Sequence, residues 1–131
     1  MRNFELRMLA YLVSESPEKY KDGGDGLTLV VNGMLMSGNI IPKPAYLEQK
    51  QNTTLKHLFD TADKLKAEIE VEEVQVEEEV GLEDYTRLYL KNAKYFIGGQ
   101  FYPSNGDNYA AINIDSIDAF NMGALGPEPE H

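Results

Sequence analysis

Residues 26–42 have the sequence GLTLVVNGMLMSGNIIP, and this stretch decides the fold. Apolar side chains such as Leu27 and Leu29 recur at every second position, which is typical of a strand with one strongly buried face. Asn32 and Gly33 suit the two positive-φ positions of a type I′ turn, which joins the strands of a tight hairpin. The stretch therefore predicts two antiparallel strands.

The second strand of this hairpin is predicted to be irregular and to end early. Gly38 marks a bend or bulge, because glycine weakens a regular strand and tolerates unusual backbone angles. The strand ends at Pro42, because proline cannot donate a hydrogen bond to a neighbouring strand.

Further helices and strands are predicted before and after the hairpin in the sequence. The helical regions are residues 1–16, which end before Pro17, and residues 45–69, with a break near Asn52. The remaining predicted elements are a strand in 85–97, a hairpin turn at 104–107, a return strand at 109–114, a helical turn at 115–118 and a short strand at 119–122.

We expect these elements to form one α+β domain. Its centre is a small SH3/Sm-like, strongly bent five-stranded β-barrel, in which closure of the sheet removes exposed edges. The predicted parts of the single domain, residues 1–131, are an N-terminal helix (1–20), the barrel (26–42 and 85–123), a helical and acidic insertion between strands 2 and 3 (43–84) and a polar tail (124–131).

The negative charge of the chain is concentrated in one acidic segment, residues 67–86. The net charge is −10, but this segment holds nine acidic residues and no basic one, while the rest holds 12 basic and 13 acidic residues. Such a segment repels phosphates and can attract basic partners. A solvated loop with no partner is the alternative, and the sequence leaves both open.

Composition excludes several classes of protein. The chain has no cysteine, so disulfides and thiol catalysis are excluded. No apolar run approaches the roughly 20 residues that a membrane-spanning helix needs, and the first residues lack the pattern of a signal peptide. We therefore expect a cytoplasmic protein that makes no membrane contact.

Candidate catalytic and metal-ligating residues are few. His57 lies on the predicted middle helix without a second histidine at a metal-binding spacing, and the other histidine is His131. Asp115 and Asp118 form a carboxylate pair, but polar side chains at such turns usually bond to the turn backbone. The sequence predicts no enzyme activity, no cofactor and no metal site.

A nucleic-acid-binding module of the Sm type is an alternative. The second half of the chain offers basic residues for phosphates and aromatic residues for bases. These are Arg87, Lys91, Lys94, Tyr89, Tyr95, Phe96 and Tyr102. The turn before the last strand carries Asp115 and Ser116 where Sm proteins place a basic pair, and the acidic insertion replaces another RNA-contacting loop. Nucleic acid is therefore the less favoured partner. A small ligand-binding or adaptor domain is the other alternative.

Three blocks of sequence carry a family resemblance. The first is a Val-Asn-Gly turn followed by Ser-Gly in 27–41, the second is Leu-Lys-Asn in 88–94, and the third is Ile-x-x-Ile-Asp-x-Phe with a nearby glycine in 112–123. Together they resemble the gas vesicle accessory protein U family (GvpU).

The resemblance implies a non-enzymatic accessory protein of gas vesicles, the hollow, protein-walled buoyancy organelles of aquatic and soil microbes. Members of that family are linked to vesicle clustering and phase-like assembly rather than to building the wall. The implied partners are the gas vesicle shell or other gas vesicle proteins, and the protein would be cytoplasmic and vesicle-associated. The resemblance does not decide whether the protein forms a homo-oligomer.

Two sets of residues are predicted to make weak, repeated contacts. The family's polar C-terminal tail is here short and acidic, at residues 127–131, so the contacts are expected elsewhere. The electrostatic set consists of Glu72, Glu73, Glu77, Glu78 and Glu79. The apolar set consists of Met34 and Met36, which we expect to be exposed.

Overall fold

The computed structural model of the protein describes residues 2–70, 81–103 and 108–123. In chain order its elements are α1 (Phe4–Glu15), α2 (Pro17–Tyr20), β1 (Gly26–Val31), β2 (Met34–Ile41), α3 (Lys43–Leu47), α4 (Thr53–Glu70), β3 (Arg87–Ile97), β4 (Gln100–Tyr102), β5 (Ala110–Asn113) and β6 (Ile117–Met122). Short 3-10 turns lie at Lys50–Asn52, Leu82–Asp84 and Ile114–Ser116. The predicted turn at 104–107 and the tail at 124–131 lie outside the described residues.

The predicted hairpin is confirmed. β1 and β2 pair antiparallel, from Gly26 opposite Asn39 to Val31 opposite Met34. Asn32 and Gly33 have φ angles of 50° and 83°, the positive values that a type I′ turn requires.

The irregularity predicted at Gly38 is also confirmed. The register between β2 and β3 shifts between Ser37 and Asn39. A Cβ atom on Gly38 would lie 3.0 Å from Cβ of Leu90 and 3.1 Å from the carbonyl oxygen of Lys91. The two backbones therefore approach so closely here that only glycine fits without a shift.

The strands form one antiparallel sheet in the order β4-β3-β2-β1-β6, and β5 pairs with β3. The α+β class is confirmed. The closed barrel is not observed, because among the described residues no ladder joins β4 or β5 to β6, and the SH3/Sm-like assignment is not confirmed. β4 makes six strands rather than the five predicted.

A 3-10 turn links β5 to β6, and these two strands do not pair with each other. The chain passes from β5 to β6 through Ile114–Ser116. The amide of Ile114 donates to the carbonyl of Thr86, and the carbonyl of Ser116 accepts from the amide of Asn32. The turn thus connects the two sides of the sheet at one end, and the sheet stays open.

Helix α1 covers one face of the sheet, which we call the inner face. The helix has an apolar side that carries Leu6 and Val13, both almost fully buried. They share one core cluster with Leu27, Leu29 and further strand residues. Burial of these side chains removes apolar surface from water, at roughly 25 cal/mol per Å².

On the opposite face of the sheet, which we call the outer face, a second, smaller hydrophobic cluster lies at one end. There Ala45 and Tyr46 of α3 pack on Ile41, with Tyr89 alongside. The rings of Tyr46 and Tyr89 have centroids 4.9 Å apart. α3 is therefore a small lid over the Ile41 end of this face.

The described first part of the insertion between β2 and β3, residues 43–70, is helical and is broken near Asn52, as the sequence predicts. α3 ends at Leu47 and α4 begins at Thr53, with the 3-10 turn between them. Asn52 in this turn is buried, and its Nδ2 donates to the carbonyl of Tyr46 at 2.7 Å. The break is thus stabilised by a side chain that donates a hydrogen bond to the backbone of the preceding helix.

The prediction that the helical region ends before Pro17 holds for α1 but not for the residues that follow it. A second short helix, α2, begins at Pro17 itself. Proline suits the first helical position, because its missing N–H would have no partner there and its φ angle is already helical.

Candidate interaction surface

The predicted electrostatic residues lie outside the described part of the chain. Glu72, Glu73, Glu77, Glu78 and Glu79 all fall within residues 71–80. The end of the acidic segment is described, and it is anchored to α1. The 3-10 turn Leu82–Asp84 and the following Tyr85 lie beside Arg7, which donates to the carbonyl oxygen of Tyr85 at 2.7 Å.

The two predicted apolar contact residues have different environments. Met34 begins β2 beside the hairpin turn and is 40% exposed. Met36 points to the same face two residues later, where α1 and neighbouring strands cover it, and only 3% of it is exposed. The expectation that Met36 is exposed is wrong, because the core extends almost to the hairpin turn.

Helix α4 has an apolar side that the other described residues do not cover. Only Leu55 and Phe59 are half-buried between Thr53 and Glu68, and every other side chain there is exposed. Leu58 and Leu65 are 59% and 56% exposed. A surface helix normally buries such a stripe against its own core, and exposed apolar patches mark interaction sites.

The half-buried side of α4 packs on α3. A groove of about 320 Å³ runs between the two helices. Nζ of Lys43 lies 3.9 Å from the centroid of the Phe59 ring, which is a cation–π contact. This contact holds the first turns of α4 to the body, while Leu58 and Leu65 lie on another side of the helix.

The outer face carries a row of apolar side chains that crosses five strands. Residues directly opposite each other in a sheet point to the same face. The strand register places Ala119, Val30, Leu35, Phe96 and Phe101 in one continuous row. None of them belongs to the two clusters of packed hydrophobic residues in the described structure.

Basic residues flank this row. Lys94 is opposite Ser37 and Lys91 is opposite Asn39, so both lysines lie on the outer face. Arg87 lies on the same face further along β3, by the alternation of side chains along a strand. Lys91, Lys94 and Arg87 are the charged side chains that β1 to β5 place on this face, and all three are basic.

Part of the aromatic and basic set that suggested nucleic acid is brought together. Tyr89 and Phe96 share the outer face with the three basic residues. Tyr95 lies on the inner face, opposite Met36, and Tyr102 is opposite Tyr95. The set is therefore divided between two faces, which separates two of its aromatic rings from the cations.

The predicted carboxylate pair is separated into two ion pairs, one with Arg7 of α1 and one with Arg2 just before that helix. Asp115 accepts from Arg7 at 2.5 Å, and Asp118 accepts from Arg2 at 3.2 Å. The backbone turn is stabilised instead by Asn113, whose side chain accepts from the amide of Asp115. Both carboxylates thus have a structural role.

A cavity of about 260 Å³ lies between α1, the end of β2 and the start of β3. Two of its polar side chains, Ser14 and Asp84, already have partners within the protein. Oγ of Ser14 donates to the carbonyl of Tyr11 and lies 3.3 Å from the hydroxyl of Tyr85. Asp84 accepts from the amide of Gly81. The cavity therefore offers few free polar groups that could orient a small ligand.

Burial shifts the titration of two tyrosines near α3. Removal from water raises the pKa of Tyr46 and of Tyr89, because the charged phenolate loses its hydration. The positive charge of Arg87 opposes both shifts.

Sequence reasoning missed two features of this surface. The spacing of Leu55, Leu58 and Leu65 predicts an apolar helix side, but no pattern distinguishes a side that packs on its own core from one that does not. The row on the outer face depends on strand register, and alternation within β1 or β2 was its only signal in the sequence.

In the part of the chain that the structure describes, no helix combines the length and the apolar character that crossing a membrane requires. No curated protein and no solved structure matches the chain. Residues 7–125 match the sequence profile of one family, described as gas vesicle protein GvpU-like. Because this match covers most of the chain, the protein belongs to the GvpU-like family of gas vesicle proteins.

Proposed function

We propose that the protein is a non-enzymatic gas vesicle accessory protein that promotes vesicle clustering or assembly through weak, repeated protein–protein contacts. Membership of the GvpU-like family supports the vesicle association. Its partners in this proposal are the vesicle shell or other gas vesicle proteins.

The exposed apolar side of α4 is the observation that carries this proposal. Leu58 and Leu65 lie one helical repeat of seven residues apart, so a partner can contact both from one direction. Each is more than half exposed. Burial of these side chains by a partner would give a modest affinity that becomes strong when many copies act together.

Met34 and the acidic segment add to this contact in the proposal. Met34 is exposed beside the hairpin turn and offers a flexible apolar side chain. The glutamates Glu72, Glu73, Glu77, Glu78 and Glu79 would attract basic partner surfaces, and this attraction weakens with salt.

The test of the α4 contact is a vesicle-clustering measurement in cells that produce gas vesicles. We expect the double variant Leu58→Ser/Leu65→Ser to disperse the vesicles in electron micrographs. The matched control is Asp60→Ser/Lys64→Ser, which changes two exposed residues of the same helix and keeps the net charge. Normal clustering with the leucine variant would refute the role of α4.

The electrostatic contribution is best tested by substitution of the five glutamates with glutamine. Deletion of residues 67–86 is less specific, because it also removes the carbonyls of Glu83 and Tyr85 that accept from Arg7. We expect the glutamine variant to reduce clustering at low salt. Equal clustering of variant and wild type at every salt concentration would remove the acidic segment from the proposal.

A further inference from the structure

We propose that the outer face of the sheet binds the acidic residues 71–80 of a second copy of the chain. The inference deepens the proposed function and takes its biological setting from it, because it names a partner for the acidic segment. The site is the apolar row of Ala119, Val30, Leu35, Phe96 and Phe101, together with Lys91, Lys94 and Arg87.

The shape of the site suits an extended segment. The row crosses five neighbouring strands, which is a length of about 19 Å at about 4.8 Å per strand. Phe96 is 38% exposed, and its ring lies 5.1 Å from that of Phe101 by centroids. Two aromatic rings therefore form an apolar end, and smaller side chains continue the row across the sheet.

The charge of the site is opposite to that of the whole protein. The chain has a net charge of −10, but the charged side chains that β1 to β5 place on the outer face are all basic. Lys91 and Lys94 are half-buried, so their aliphatic stems lie along the sheet while their ammonium groups stay near water. This face therefore attracts carboxylates in a molecule that otherwise repels them.

The chain contains a segment with the matching chemistry. Residues 71–80 have the sequence VEEVQVEEEV, with five glutamates, four valines and no basic residue. The glutamates can pair with Lys91, Lys94 and Arg87, and the valines can contact the apolar row. Nucleic acid would supply negative charge as well, but it would meet the repulsion of the remaining acidic residues, and three of the five residues in the row are aliphatic and offer no ring on which a base could stack.

The anchoring of the segment favours a second copy over the same chain. Its carboxyl end continues into Leu82–Asp84, which contacts α1 on the inner side of the sheet. Arg7 holds this region by bonds to the carbonyls of Glu83 and Tyr85. Its amino end follows α4, which packs on α3 at the Ile41 end of the outer face. Within one chain the segment therefore has to run from that end to the anchor on the inner side, whereas a segment from a neighbouring molecule can lie along the whole row.

Such a contact joins two different surfaces and is therefore heterologous. Contacts of this kind form open chains or networks unless a rotation happens to close them into a ring. Each molecule offers one outer face and one acidic segment, so every molecule can bind two neighbours.

The test is a charge exchange in the purified full-length protein, followed by sedimentation velocity. We expect wild type to form assemblies at about 50 mM salt that dissociate at about 500 mM salt. Lys91→Glu/Lys94→Glu should weaken assembly at least tenfold, and so should Glu72→Lys/Glu73→Lys/Glu77→Lys/Glu78→Lys. A mixture of these two variants should assemble again, because the exchanged charges are complementary.

The control Lys50→Glu/Lys64→Glu has the same charge change at exposed positions away from the sheet, and it should assemble like wild type. Circular dichroism checks the fold of each variant, and Lys91→Gln/Lys94→Gln replaces the glutamate variant if that one unfolds. Failure of the two exchanged variants to assemble on mixing would overturn the proposal. Binding of single-stranded RNA that requires Lys91 and Lys94, without self-assembly, would also overturn it and identify a nucleic-acid site.

This experiment uses no vesicles, so its outcome is independent of the proposed function. Assembly that follows the charge exchange supports the inference even if vesicle clustering is unaffected by variants of α4. Vesicle clustering that needs α4, combined with no charge-dependent assembly, supports the function and refutes the inference.

Discussion

The guanidinium group of Arg7 on α1 donates to Oδ1 of Asp115 on the turn between β5 and β6, at 2.5 Å. Arg7 is only 5% exposed. It also donates to the carbonyls of Arg2 and Tyr85, at 2.9 and 2.7 Å. One buried side chain thus joins the first helix, the end of the acidic segment and the turn that lies where a closed barrel would pair its strands.

Replacement of Arg7 by methionine should destabilise the protein strongly. Methionine fills a similar volume but leaves the buried carbonyls without a donor, and the expected loss is about 2–4 kcal/mol in the free energy of unfolding. Urea denaturation measures it. The control is Arg2→Met, whose ion pair with Asp118 is about half exposed and contributes less than about 1 kcal/mol. Equal losses in the two variants would contradict this account of Arg7.

The two methionines of β2 should differ sharply in their effect on stability. Met36→Ala leaves a cavity in the core and should cost about 2–5 kcal/mol. Met34→Ala changes an exposed side chain and should stay within about 0.5 kcal/mol of wild type. Thermal and urea unfolding of both variants make the comparison. A large loss for Met34 would show that it is covered in the folded protein.

Gly38→Ala should destabilise the sheet by a steric mechanism. Its Cβ would meet backbone and side-chain atoms of β3 at 3.0–3.1 Å, and the expected cost is about 1–3 kcal/mol. Gly98 provides a comparison, because a Cβ there meets nothing within 4 Å but the φ angle is +58°. Gly98→Ala should therefore cost only the backbone strain, about 1–2 kcal/mol. If Gly38→Ala were neutral, the close approach of β2 and β3 would be contradicted.

Stability should fall in alkaline solution partly because of Tyr46 and Tyr89. Burial raises the pKa of both above the ordinary 10.0, so the folded protein keeps protons that the unfolded chain releases. Their contribution is fully present below pH 10.0 and is lost as the pH rises through the folded pKa values.

Urea unfolding at several pH values above 10.0 measures this loss. Tyr46→Phe/Tyr89→Phe should make the decline in unfolding free energy less steep than in wild type. An unchanged slope would show that other groups cause the alkaline decline.

Local patterns predicted the elements of this fold, because each depends on nearby residues. The turn at Asn32-Gly33, for example, follows from the φ angles that those residues tolerate. Barrel closure was not predictable in this way. It depends on whether distant strands such as β5 and β6 pair, and among the described residues they do not.

The candidate surfaces were predictable only as residue types. Met34 and Met36 have the same spacing from the hairpin, and only the position of α1 makes one exposed and the other buried. Arg7 has the sequence character of a surface residue, and its burial depends on carbonyls that arrive from residues 83 and 85. Long-range packing of this kind leaves no mark in a single sequence.

The paired positions Ile41 and Tyr89 show that the long insertion leaves the sheet and returns to it at neighbouring points. The sheet therefore constrains the two ends of the insertion and not its length, since a longer loop between fixed ends adds only a small entropic cost. The length and the surface residues of the insertion can therefore change while the sheet stays the same. The same property makes the insertion a place where a foreign peptide could be added without a change to the sheet.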